Sequence, residues 1–123
     1  MSRHTLRAQD YLGYMLDAVR RIQQYAEGKC AETFLSDQLL QDGIARNFEI
    51  LGVAARKFLE VLPGASSRFP GIPFAAIYGM RNQLSRGYFA IDWGTVWKTI
   101  ERDIPSLRAE LERALDSIAQ RPT

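Results

Sequence analysis

A chain of 123 residues, 46% hydrophobic and 24% charged, has the size and composition of one soluble domain and excludes a disordered or fibrous polymer. Its one cysteine, Cys30, excludes an intrachain disulfide and suits a reducing cytoplasm. A net charge of +2 permits RNA binding without demanding it.

The first segment, MSRHTLRAQDYL, has no apolar stretch of the signal-peptide kind, and no apolar run approaches the roughly 20 residues of a membrane span. A cytoplasmic protein without a membrane partner is expected, folded as a single domain over residues 1–123. Helical spacing then accounts for most of the chain. Leu12, Met15, Leu16, Val19, Ile22 and Ala26 predict a first helix over residues 5–27, stopped by Gly28. The segment GKCAETFLS reads as a connector. Ser36 and Asp37 open a second helix that runs to Leu62, with Leu40, Ile44, Phe48, Leu51, Ala55, Phe58 and Leu62 at steps of 3 or 4. Gly43 and Gly52 lie inside it at a cost in helix propensity. Gly52 is either a point of close helix approach or incidental.

Three prolines in residues 63–73 mark an ordered connector. Pro73 suits the first turn of a third helix ending near Gly87. Asp92 or a neighbour can cap a fourth, whose stripe is Val96, Trp97, Ile100, Ile104, Leu107, Leu111, Leu115 and Ile118, kinked or divided by Pro105. No strand pattern, repeat or low-complexity tract is visible. The expected fold is all-α, an antiparallel bundle of four to five helices. Phe69, Phe74, Tyr78, Phe89, Trp93 and Trp97 suit either an interface or a core, and core is the expected place of most.

One histidine and one cysteine make no metal set, and no glycine-rich phosphate loop is present, so no metal or other cofactor is expected. Ser66 and Ser67 have no histidine base beside them in sequence. The stretch MRNQLSRGYFAIDW, residues 80–93, is different in kind. On a helix Arg81 and Ser85 share a face, and Arg86 lies roughly 140° round from Arg81. If the helix frays at Gly87, Arg86 and Tyr88 can turn back towards Arg81. Two guanidiniums and a phenol could then hold a phosphate by charge-assisted hydrogen bonds. The plainer alternative is two solvated arginines and a packing tyrosine. The run ERDIPSLRAELER reads as a solvated helix face with local ion pairs.

The order Arg81-Asn82-Gln83-Leu84-Ser85-Arg86-Gly87-Tyr88, followed by an aromatic residue, Asp92 and a tryptophan-bearing helix, resembles the HepT-like branch of the HEPN superfamily. These are small helical ribonuclease toxins paired with minimal nucleotidyltransferase antitoxins, and their pattern is Arg-Asn-x-Leu-x-His-x-Tyr. ARNFEILGVAARKF and FPGIPFAAIYGM resemble the segments upstream of that motif. The resemblance implies that Arg81 is the catalytic arginine, Asn82 the polar residue after it, and Tyr88 the tyrosine to which the antitoxin transfers AMP. It also implies a symmetric homodimer with the two motifs facing each other across an RNA-binding groove, framed in part by Arg46, Asn47 and Glu49 of the second helix.

Arg86 stands where the family has its catalytic histidine. Histidine titrates near pH 6.5 and can exchange protons at neutrality. Arginine stays protonated to beyond about pH 12 and has no acceptor, so it can bind phosphate or stabilise charge but cannot be a general base. His4, the only histidine, matches no motif and reads as a surface residue. The expectation is a HepT-like toxin with the family's metal-independent RNA cleavage reduced or abolished. The alternative is a non-catalytic nucleotidyltransferase-partner or substrate-binding module.

Overall fold

A computed structural model describes residues 3–120; the side chains of residues 3–6 and of Tyr88 lie outside the described residues, and with them the expectation for the His4 side chain. Described residues form seven α-helices and one 3-10 turn, with no strand among them. α1 (Arg3–Ala26) and α3 (Gln38–Val61), 24 residues each, are the long axis of the bundle. They run antiparallel: Tyr25 meets Gly43, Arg21 bonds Asn47, and Tyr11 and Tyr14 lie beside Val53 and Lys57. α1 ends at Gly28, whose φ of +74° is left-handed backbone that glycine adopts without a Cβ clash. Asp37 caps α3 by accepting the Leu40 N–H at 3.0 Å.

The connector before α3 contains a helix the sequence conceals, α2 (Ala31–Leu35). Five residues are too few to display a stripe, yet Phe34 is fully buried and meets Trp93 and Trp97 with ring centroids 5.8 and 5.1 Å away. α2 thereby fastens α6 (Trp93–Arg102) to the bundle. The proline-rich connector is ordered, as expected, and holds the single turn α4 (Ala65–Arg68). Phe69 and Phe74 close on Phe58 of α3 from either side of that connector, at 6.0 and 6.2 Å.

α5 (Phe74–Arg86) begins one residue later than the sequence reading placed it. Pro73 is the capping residue rather than part of the first turn; its carbonyl accepts the Ile77 N–H at 3.0 Å. The last long stripe is divided, as Pro105 requires, into α6 and α7 (Ile104–Gln120). Proline has no N–H to donate and crowds the carbonyl four residues earlier. The break falls at Asp103, whose carbonyl accepts the Leu107 N–H and the Ser106 hydroxyl.

α7 lies antiparallel along α1, tied by Arg108 donating to Gln23 and by Arg20 beside Glu112. α5 packs antiparallel on the opposite side of α3, with Phe74 against Phe58 and Arg81 against Gly52. The core joins residues from all seven helices; Phe74 and Trp97 belong to it, while Phe69, Tyr78 and Trp93 are partly buried. Phe89 departs from the expectation for the aromatics, being 99% exposed on the 3-10 turn Tyr88–Ala90. No helix among the described residues is long and apolar enough to cross a membrane.

Candidate functional site

α5 owes its orientation to Phe74, Ile77 and Leu84, which are buried, leaving Asn82, Ser85 and Arg86 exposed. Its last turn does not fray before Gly87. Arg86 is the final helical residue, and the Gly87 N–H closes the helix on the Gln83 carbonyl at 3.1 Å. A cation in that turn is favoured by the partial negative charge of the helix C-terminus. The chain then makes its 3-10 turn, Ala90 N–H to Gly87 carbonyl at 2.7 Å, before Asp92 starts α6.

Asp92 is a capping residue: its carboxylate accepts the Thr95 hydroxyl at 2.9 Å and the Thr95 N–H at 3.1 Å. Those bonds, the hydroxyl first, hold the carboxyl below its usual range. The position after the motif's aromatic residues is therefore occupied structurally, fixing where the Tyr88 turn rejoins the bundle.

Arg81 is half-buried where α5 meets α3. Its Nε is buried and has no hydrogen-bond partner among the described residues. The stem runs across Gly52: a Cβ there would stand 2.5 Å from Arg81 Cδ and 2.9 Å from Arg81 Cβ. Arg81 and Arg86, like Arg21, Arg68 and Arg102, carry no ion pair among the described residues, whereas Arg46, Arg56, Arg108 and Arg113 do. Two arginines separated by about 7.5 Å of helix rise thus lack a neutralising carboxylate there, and both can bind an anionic ligand. Their positions on α5 are roughly 140° apart round the helix axis. Tyr88 begins the adjoining turn, and its side chain lies outside the described residues.

Tyr78, one turn before Arg81, is partly buried near Arg56 and Glu60. Burial pushes its phenol up, so it remains a neutral hydroxyl at pH 7. Gln83 turns to the other side of α5 and lines a half-open cavity of about 390 Å³ with Met80, Thr99, Asp103 and Leu107.

The three second-helix candidates occupy different environments. Arg46 is bound to Glu49 at 2.6 Å on an exposed face beside Tyr11 and Tyr14. Asn47, only 4% exposed, accepts Arg21 Nε at 2.7 Å and donates to the Gly43 carbonyl at 2.9 Å. It lies roughly 140° round α3 from Gly52, towards α1. What the sequence did not reveal is the Gly52 seat, because the partner of an interior glycine is set by a crossing between distant segments.

A family model described as "Ribonuclease HepT-like" matches residues 15–114, which include α3, Arg81 and Arg86. The chain belongs to the HepT-like ribonuclease family. A "Probable ribonuclease HepT" of Thermococcus cleftensis is 34% identical over 105 residues, 85% of this chain and 92% of that protein. "Putative RNase MJ0125" of Methanocaldococcus jannaschii is 28% identical over 91% of this chain and 90% of its own length. "Gamma-glutamylcyclotransferase and putative RNase MJ0434" of the same archaeon is 30% identical over 88% of this chain. Of that longer relative the chain spans only 47%. No solved structure matches. The HepT-like assignment agrees with the family to which the motif resemblance points.

The Asn47 bonds and the Arg46 pair predict different responses to substitution. Asn47→Ala leaves the half-buried Arg21 Nε without its acceptor and should cost about 1–3 kcal/mol in denaturant unfolding. Arg46→Ala breaks an exposed pair and should stay within about 0.5 kcal/mol of the parent. Equal losses at the two positions would contradict this division.

Proposed function

We propose that this HepT-like chain is the toxin component of a toxin–antitoxin pair, holding RNA in a groove made by two copies and cleaving it weakly. The observation that carries the proposal is the pair Arg81 and Arg86 on one helix, neither neutralised among the described residues, in a chain of a ribonuclease family. Facing a second copy, they become four guanidiniums along a phosphate backbone. That gives a chain of net charge +2 a local basic groove whose affinity should fall with salt.

Cleavage of this kind removes the ribose 2′ proton, forms the bond from that oxygen to phosphorus, and breaks the bond to the 5′ oxygen, which takes a proton. Arg81 and Arg86 can stabilise the charge of the five-coordinate phosphate. Neither can accept the 2′ proton. Asn82, exposed beside Arg81, can hydrogen-bond the phosphate or ribose without exchanging protons. General acid–base assistance contributes about 10²–10⁴-fold, so this chain should be slow by a factor in that range.

Neutralisation then occurs at Tyr88: its hydroxyl attacks the α-phosphorus of ATP on a nucleotidyltransferase antitoxin, pyrophosphate leaves and the phenol proton is lost. AMP at that position adds bulk and a negative charge beside the basic residues of the groove. The same Arg86 that weakens cleavage also favours a second reading, a non-catalytic partner module in which Tyr88 is modified but RNA is not cut.

Restoring the histidine separates the two readings. Arg86→His should raise single-turnover RNA cleavage by at least about 10²-fold at pH 7. If the parent already cleaves as fast as the variant, proton transfer does not depend on this position. If neither form cleaves any RNA offered, the module reading stands. Native mass spectrometry with the antitoxin and ATP tests the remaining parts together. The expected species is a dimer carrying one AMP per protomer, absent in Tyr88→Phe. A monomer would remove the shared groove, and an unmodified parent would remove the acceptor role.

A further inference from the structure

We infer that Gly52 is a positioning residue for Arg81: by lacking a side chain it seats the arginine stem flat on α3 and sets where the guanidinium emerges. The use of that position for RNA rests on the function proposed above.

The geometry is specific to this side chain. The three heavy atoms nearest to a Cβ built on Gly52 are Arg81 Cδ at 2.5 Å, Arg81 Cβ at 2.9 Å and Arg81 Cγ at 3.1 Å. The atoms nearest to the missing methyl are therefore arginine side-chain carbons rather than backbone. An interior glycine that served only close helix approach would face backbone instead.

Relief by simple rotation is also denied. Cδ can swing away, but Arg81 Cβ is held by the α5 backbone, and a methyl 2.9 Å from it requires the two helices to part. Gly52 is buried, so no outward bend of α3 removes the conflict without disturbing its neighbours.

The consequence for Arg81 is a restricted side chain. Arginine has large rotamer freedom, and ordering it normally detracts from ligand binding. With the stem laid across Gly52 and Nε buried without a partner among the described residues, much of that ordering precedes the ligand. The terminal nitrogens of the fork are what remain to meet a phosphate oxygen pair. In a helix interior alanine is favoured over glycine, so Gly52→Ala carries opposing effects, and Arg81 decides the sign.

The test uses the full chain, Gly52→Ala, Arg81→Ala and the double variant, with Gly13→Ala as a control because nothing lies within 4 Å of a Cβ there. Nitrogen–proton NMR of arginine Nε–H groups reads the seat without RNA. The parent should show a slowly exchanging Arg81 Nε–H, and Gly52→Ala should accelerate its exchange at least tenfold. Fluorescence anisotropy with a labelled single-stranded RNA reads the use of the seat. Gly52→Ala and Arg81→Ala should weaken binding alike, each reducing the salt slope by about 0.7 for one lost phosphate contact. The double variant should bind no worse than Arg81→Ala, since both remove the same interaction.

Unchanged Nε exchange in Gly52→Ala would overturn the seat. So would a loss of RNA affinity in Gly52→Ala that adds in full to that of Arg81→Ala. Unchanged affinity in Arg81→Ala would instead overturn the RNA reading of Arg81, with the exchange result still deciding the seat. If Gly52→Ala fails to fold, adding Arg81→Gly, which removes Cβ, Cγ and Cδ together, should bring the melting temperature back towards that of Arg81→Gly alone. A double variant as unfolded as the single would contradict the inference.

Discussion

α3 is packed on two sides, by α1 and by α5, and that constraint decides where the candidate site can lie. On one side Asn47 is committed to Arg21 and to its own helix. On the other, Gly52 admits the stem of Arg81. A helix held by two partners cannot rotate to suit a ligand, so any adaptation falls to the ends of α5 and to the turn beyond it. Arg86 and Tyr88 stand there. The rigid contribution of the site is thus Arg81, and the adjustable contribution is the segment after it.

The principal helices are legible in the sequence because burial repeats at helical spacing and polar caps mark the starts of α3 and α6. Asp37 and Asp92 both act as caps, as their positions suggest. Elements shorter than two turns escape such reading. α2 contributes one buried side chain, Phe34, and a single apolar residue in a polar run cannot display a period. Pro73 was displaced by one position because a proline before the first turn and one within it look the same in sequence. Stripe edges are also poorly resolved: Leu40, Leu62 and Leu115 are only partly buried, since spacing gives the direction of a side chain but not the reach of its neighbours.

For the candidate site, the motif order points to α5 and its two arginines. Helical spacing puts them roughly 140° apart, but it could not tell that the last turn stays intact, closed by the Gly87–Gln83 bond. Nor could it separate Asn47 from Arg46 and Glu49. A buried amide with two partners and an exposed ion pair are adjacent letters in sequence and opposite environments in the fold. In physical terms the motif specifies charge and order and local spacing sets most ion pairs, while tertiary crossings specify which polar groups are buried, as at Asn47 and Arg81 Nε.

On the function proposed here, the chain keeps electrostatic stabilisation and lacks a group that carries a proton at neutral pH. On that proposal Arg86 adds positive charge where the resemblance calls for an acceptor, and phosphate binding and cleavage come apart. Tyr78 does not replace the missing base, since burial keeps its phenol protonated. The most direct measurement is the pH dependence of single-turnover RNA cleavage by the unaltered chain between about pH 5 and 9. A slow rate that climbs steadily with hydroxide concentration, without a plateau or a bell, is predicted. An inflection near pH 6.5, the signature of an imidazole-like base, would contradict the assignment of Arg86 as the lost proton carrier.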